Sequence, residues 1–223
     1  VNKTKIEWTD YTWNPVTGCK TGCEYCYARA ISHRFGSSFE PTFYPNRLQQ
    51  PLLRLKPSKI FPVSMGDIMG PWVPDDWIEE VLKVVRAAKW HTFQFLTKWP
   101  DRYIDFDFPP NAWLGATCTT ESRLPQTINA LEPLDLNVRY ISAEPLMSGC
   151  GGTLPEWLDW LLIGAMTGPR AQRPPTVWVE DWVGSARRNN IRLFIKNNVG
   201  WHSTIQDWPP ASPSAVVRKK VRR

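Results

Sequence analysis

The sequence predicts an α/β fold, a partial, open parallel (βα) barrel of six or seven strands. Three observations lead there. Short apolar runs are each followed by a segment whose apolar residues recur at helical spacing, and this strand-then-helix unit repeats along the chain. Seven strand-like runs can be counted. The 223 residues are tight for a complete eightfold barrel.

The elements follow in order. A first strand is expected near Tyr11–Pro15. Ile60–Ser64 is a second, followed by Pro-rich turn residues and a helix over Asp75–Lys89, where Trp77, Ile78, Val81, Leu82 and Val85 share a face. Asp76 followed by Glu79 reads as a capping-box-like start. Thr92–Leu96 is the next strand and Trp99–Ile104 a short helix. Ala112–Ala116 leads to a helix over Thr119–Leu131, with Leu124, Ile128 and Leu131 on one side. Val138–Ser142 and Trp160–Gly164 are two further strands. Val177–Asn189 repeats the helical pattern through Trp178, Val179, Trp182, Val183 and Ala186, and Arg192–Lys196 closes as a strand. Phe35–Pro57, irregular and Pro-rich, is expected to cover one end. The barrel domain is therefore expected over residues 1–208. Beyond it, 209-PPASPSAVVRKKVRR-223 reads as a Pro/Ser linker and a mobile basic tail, with five cations in its last six residues.

Composition narrows the setting. A net charge of +6 and a pI of about 9.1 favour an anionic partner such as nucleic acid. Thirteen tryptophans are far above ordinary usage and must mostly line a core or a site. No apolar run approaches a membrane span and no signal-peptide pattern opens the sequence, so a cytoplasmic setting is expected. Thiols stay reduced there, and five cysteines are an odd number, so a clustered triplet points to metal binding or catalysis before disulfides.

That triplet lies in 18-GCKTGCEYCYARA-30 as Cys19, Cys23 and Cys26, spaced C-x3-C-x2-C just after a strand. Short spacers let three thiolates of one loop converge on three corners of a [4Fe–4S] cube, leaving one iron without a protein ligand. Gly18 and Gly22 allow the backbone to wrap closely. A zinc site is the alternative, with His33, Cys118 or Cys150 as fourth ligand. A simple electron-transfer ferredoxin would need a fourth nearby cysteine, and none is near. His33, His91 and His202 show no pattern and read as surface or capping residues.

With aromatic Tyr25 just before the third cysteine, this motif resembles the radical SAM superfamily. The resemblance implies a [4Fe–4S] cluster on Cys19, Cys23 and Cys26. S-adenosyl-L-methionine (SAM) would bind the open iron and be cleaved to a 5′-deoxyadenosyl radical. Tyr25 would lie beside the adenine. An external one-electron reductant such as flavodoxin or ferredoxin is implied with it. The phrases 6-IEWTDYTWNPVTGC-19, 95-FLTKWPDRY-103, 113-WLGAT-117 and 140-YISAEPL-146 further resemble a phage-associated radical SAM family. Two features depart from that family: the spacer between the first two cysteines is shorter, and 163-IGAMTG-168 lacks its usual acidic residue.

Chemistry in parallel barrels sits at the carboxyl ends of the strands. By resemblance, Met65, Gly66 and Asp67 in 64-SMGDIMG-70 stand in for a Gly-Gly-Glu-like segment, with Asp67 accepting from the SAM ammonium. Thr117, Ser142, Gly164 and Met166 are further cofactor candidates, the glycines of 164–168 letting backbone approach adenine or ribose. Lys98 and Lys196 are candidates to hold a substrate phosphate or carboxylate, with Asn197 beside them. Trp72 is a candidate to stack on a base. Candidate catalytic residues are Lys98, Glu144 and Cys118, a thiol able to return a hydrogen atom to a substrate radical. Cys150 in 149-GCGG-152 reads as a loop cysteine.

The function expected is a radical SAM enzyme, an isomerase or lyase, acting on a nucleobase. A modified thymine in phage-type DNA hypermodification is the substrate the resemblance implies, with DNA or a nucleotide as partner and a monomeric chain. The alternatives are spore-photoproduct-lyase-like DNA repair, a peptide or small-metabolite substrate, and a non-enzymatic zinc-stabilised nucleic-acid-binding module.

Overall fold

A computed structural model describes residues 1–134, 138–168 and 171–210. The basic tail expected over 209–223 lies outside the described residues from position 211 onward. The strands are β1 (Asn2–Lys3), β2 (Tyr11–Trp13), β3 (Val16–Thr17), β4 (Thr42–Phe43), β5 (Lys59–Pro62), β6 (Thr92–Thr97), β7 (Ala112–Thr117), β8 (Arg139–Ala143), β9 (Trp160–Ile163) and β10 (Arg192–Ile195). The helices are α1 (Tyr27–Arg34), α2 (Asp75–Ala87), α3 (Leu124–Leu131) and α4 (Thr176–Arg188).

The eight-stranded sheet runs β1-β2-β5-β6-β7-β8-β9-β10. β1 is antiparallel to β2, and every other neighbouring pair is parallel. Each parallel strand thus lies beside the one before it in the sequence, as successive βα units require. The seven expected strands all form. β1 escaped the sequence reading because two exposed polar residues carry no apolar pattern. β3 and β4 make a separate two-stranded antiparallel sheet, so the segment expected to be irregular contains a strand and a short 3₁₀ turn at Pro45–Arg47.

The helices deviate at their ends. α2 begins at Asp75 behind Pro74 with no side-chain cap, so the Asp76–Glu79 box does not form. Asp75 pairs instead with Arg102. The segment Thr119–Leu131 divides into a 3₁₀ turn at Glu121–Arg123 and α3, where Pro125 sits in the first turn without costing a hydrogen bond. α1 buries only Ala28, so no apolar periodicity announces it.

The two faces of the sheet are packed differently. Ile60, Phe93, Phe95, Leu114, Ile141, Leu161 and Leu193 belong to a mainly aliphatic core with Ile78, Val81 and Leu82 of α2 and Val179 and Val183 of α4. The alternate residues Phe61, Trp113, Tyr140, Trp160, Leu162 and Phe194 form a second, aromatic cluster closed by Trp8. Trp8 lies 4.7 Å from the Phe61 ring on β5 and 6.4 Å from Tyr140 on β8. In a flat sheet those strands would stand about 14 Å apart, so the sheet curls around this interior. Gly115 is required there, since a Cβ would stand 2.1 Å from the Tyr140 ring. His91, read from sequence as surface or capping, is instead buried, with Nε2 against the Pro51 carbonyl oxygen at 3.1 Å.

Candidate active site at the carboxyl ends of the strands

A cavity of about 400 Å³ opens at the carboxyl ends of the strands. The cysteine loop and the segments following β5, β6, β7, β8, β9 and β10 all contribute to its wall.

Two glycines bring the first two segments together. Gly18 sits at φ +88°, its N–H donates to the Met65 carbonyl at 2.9 Å, and it bridges Gly66. A Cβ on Gly18 would meet the Glu40 carbonyl oxygen at 2.2 Å, and one on Gly66 would meet the Gly18 oxygen at 2.7 Å. The loop after β3 therefore lies directly on the loop after β5. Asn14 fixes the same junction, its Oδ1 accepting from Met65 N at 3.0 Å and Ser64 Oγ at 3.2 Å.

Cys19, Cys23 and Cys26 all line the cavity and are partly exposed. Cys26 Sγ also caps α1 by accepting from Arg29 N at 3.4 Å. Cys19 Sγ donates to Thr21 Oγ1 at 3.2 Å. No three His, Cys, Asp or Glu side chains among the described residues gather closely enough to hold one metal ion. A cubane cluster takes each thiolate at a separate iron, so its ligands stand wider apart than those of one ion. Three thiols on one loop facing one cavity fit that group. The other two cysteines, Cys118 and Cys150, are buried away from it.

Asp67 lines the same cavity at 5% exposure. Its Oδ1 accepts from Thr97 Oγ1 at 2.6 Å and Met69 N at 3.2 Å, and its Oδ2 from Lys98 N at 2.9 Å. Burial pushes its pKa upward against the opposing pull of those hydrogen bonds. Ser142 is 1% exposed and lines the cavity, yet its hydroxyl has no hydrogen-bond partner among the described residues. A buried hydroxyl without a partner at a cavity wall is a place for a ligand atom. Thr117 and Met166 line the wall as well. Burial, and then the neighbouring Cys23, push the Tyr25 phenol up to about 12, and the Lys98 ammonium lies 5.6 Å from the Tyr25 ring centre.

At the ends of β10 and β8, Lys196 donates to Glu144 in an ion pair whose side chains keep 12% and 23% exposure. Glu144 packs over Gly164, where a Cβ would stand 2.7 Å from Glu144 Cδ. This corrects two sequence readings. Gly164 offers its open space to Glu144 and does not line the cavity, and Lys196 is no free cation for a phosphate.

Other candidates fall outside the wall. Met65 stays behind it, meeting the cysteine loop through its backbone. Asn197 is exposed and its N–H donates to Glu7 Oε2 at 3.0 Å. Trp72 packs edge-on against Trp99 at 5.8 Å and fills the space beside Gly70, so it cannot stack on a base in the cavity. Cys118 is fully buried, its Sγ donating to the Thr120 carbonyl at 3.4 Å and its thiol pushed up to about 11 by burial. A thiol so placed is a small core residue in this structure.

Several wall residues were not singled out in the sequence. Tyr27 lines the cavity and its hydroxyl donates to the Ser64 carbonyl at 2.6 Å. Its position directly after the third cysteine was a usable signal. Ile6, Trp8, Phe39 and Leu96 supply apolar wall, and nothing in their local sequence distinguishes them from core.

The fold is shared with solved structures of spore photoproduct lyase. One, a variant with bound AdoMet and dinucleoside spore photoproduct, superposes with a TM-score of 0.51 at 16% identity, over 65% of this chain and 48% of that one. Two other variants give TM-scores of 0.56 and 0.54 at 15% identity, over 75% and 73% of this chain and 60% and 57% of theirs. The chain thus spans about half the length of the lyase. No curated protein matches the sequence. Residues 3–221 match the family described as protein of unknown function (DUF5131), and the chain belongs to that family.

Proposed function

We propose that this protein is a radical SAM enzyme acting on a nucleobase. The observation that carries the reading is the shared cavity: three thiols of one loop and the carboxyl ends of six parallel strands line the same space. The fold shared with spore photoproduct lyase, one structure of which holds bound AdoMet, supports it.

Cys19, Cys23 and Cys26 would hold a [4Fe–4S] cluster with one iron open. Such a cluster would supply one-electron chemistry for the reductive cleavage of SAM and hydrogen-atom abstraction from a substrate. The remaining roles belong to the chain itself. Asp67 Oδ2 accepts one hydrogen bond from the protein and has room for a second, from the SAM ammonium. Ser142 Oγ has no protein partner and could bond a ribose or carboxylate oxygen, and Tyr25, Thr117 and Met166, which line the same cavity, would flank an adenosyl group. Ile6, Trp8, Phe39 and Leu96 keep water from a reactive radical.

A recessed cavity cannot reach a base stacked in a duplex, so the target would be flipped out, single-stranded or a free nucleotide. The finer reading is a radical rearrangement of a modified thymine in phage-type DNA, by a cytoplasmic, monomeric isomerase or lyase served by flavodoxin or ferredoxin. Cleavage of a DNA lesion is the second reading, favoured by the neighbour that binds dinucleoside spore photoproduct. Among the described residues no helix is long and apolar enough to cross a membrane.

Anaerobic purification followed by iron and acid-labile sulfide analysis tests the class: about four irons per chain are expected. A colourless protein with one tightly held zinc overturns it. Truncation after Trp208 removes the basic run 218-RKKVRR-223 and is expected to weaken DNA binding and its salt dependence while leaving SAM cleavage unchanged.

A further inference from the structure

We infer, building on the nucleobase reading above, that Glu144 and Lys196 form one recognition unit for the lactam edge of a thymine-type base. The carboxylate accepts the base N–H, and the ammonium donates to the adjacent carbonyl oxygen.

Sheet order supports the assignment. The cysteine loop follows β3 and Asp67 follows β5, whereas Glu144 follows β8 and Lys196 follows β10. The pair therefore comes from strand ends other than those that carry the thiols and Asp67. Neither Glu144 nor Lys196 is among the groups that fit the cluster or the SAM ammonium. The pair is left for whatever else enters.

Its chemistry then selects the ligand. The ammonium has three donors and the carboxylate two acceptor oxygens. Among the described residues their mutual contact, from Lys196 Nζ to Glu144 Oε1, is the sole hydrogen bond either charged group makes. Glu144 Oε2 and two Lys196 N–H groups therefore stay available beside each other. Together they carry no net charge, so a phosphate would meet a carboxylate as well as an ammonium. A neutral –CO–NH– edge meets one donor and one acceptor side by side. The same cavity has apolar wall from Ile6, Trp8, Leu96, Pro145 and Met166, which suits a planar ring.

Energetics point the same way. A largely buried ion pair gains little stability over an apolar replacement, because desolvating both charges offsets their attraction. Gly164 leaves open the space that Glu144 occupies, and any side chain there would displace the carboxylate. A site whose polar groups are arranged for an N–H also rejects the analogue lacking it far more strongly than an apolar pocket rejects a methyl group.

The test uses the full chain with its cluster reconstituted and SAM present. Calorimetry measures binding of thymidine dinucleotide and of the same compound methylated at N3. The wild type is expected to bind the methylated form at least tenfold more weakly. A swapped variant, Glu144→Lys with Lys196→Glu, keeps an ion pair but exchanges donor and acceptor. It is expected to keep the wild-type melting temperature and to lose that discrimination. Equal binding of both dinucleotides by the wild type overturns the inference and leaves the nucleobase reading standing. Unchanged discrimination by the swapped variant overturns it too, since the pair would then be structural. If neither dinucleotide binds while SAM is still cleaved, the nucleobase reading fails and takes this inference with it. If SAM is not cleaved either, the enzyme reading has failed.

Discussion

Two carboxylates from different strand ends line the cavity, and they are held in opposite ways. Asp67, after β5, is 5% exposed and gripped by three neutral donors from the β5 and β6 ends. Glu144, after β8, keeps 23% of its side chain exposed and meets one cation, Lys196. The first arrangement fixes a loop as much as it offers a ligand contact, because every donor comes from the strand ends themselves. The second fixes little backbone and leaves acceptor capacity facing the cavity. A carboxylate at a strand end is thus not one kind of residue. The donors around it decide whether it builds the wall or reads what enters.

The largest expected effect falls on the thiol loop. Replacing Cys19, Cys23 or Cys26 by Ala should abolish the iron content, whereas Cys150→Ala, buried away from the cavity, should leave it unchanged. Iron and sulfide analysis of the four variants checks this, and iron retained in a Cys19, Cys23 or Cys26 variant would refute the ligand set.

Next comes the ion pair. Lys196→Ala strands a carboxylate that is largely buried and should cost about 3 kcal/mol, the low end for such a pair because Glu144 keeps some solvent. Removing both charges, with Glu144→Gln and Lys196→Met, should recover most of that loss. Urea unfolding of the single and double variants measures both. A double variant as unstable as the single would mean that the pair is holding the loop after β8.

Asp67→Asn should act more mildly on stability, by about 1–3 kcal/mol for one lost acceptor, and weaken SAM binding about tenfold with the cluster intact. The pH dependence has a definite sign. Burial raises the folded-state pKa of Asp67 above the ordinary carboxylate value of 3.8. Between those two values the folded state binds more protons than the unfolded one, so stability falls as pH rises through the window above 3.8. The Asn variant should lack this fall. Urea midpoints followed upward from pH 4 would show it, and equal slopes in both proteins would place the shift elsewhere.

The smallest effect is expected at Cys118. Cys118→Ala removes a fully buried sulfur for about 1 kcal/mol and should leave hydrogen-atom transfer to product unchanged. Normal stability with altered deuterium incorporation into product would show that the thiol reaches the substrate after all.

The sequence alone determined the seven parallel strands, the cysteine loop and the end of the sheet where chemistry collects. Those features are local. An apolar run with period two makes a strand whichever neighbour it finds, and C-x3-C-x2-C brings its thiols near one another within a single loop. The tertiary structure alone decided what each polar side chain does. Lys196 and Glu144 are 52 residues apart and became one unit because β8, β9 and β10 are adjacent. Trp72 and Cys118 look like site residues in one dimension and turn into packing in three. Trp8 fills the curled interior only because residues of β5 and β8 converge on it. Hydrogen-bond partners and curvature depend on contacts distant in the chain, and a pattern read along the backbone cannot carry them.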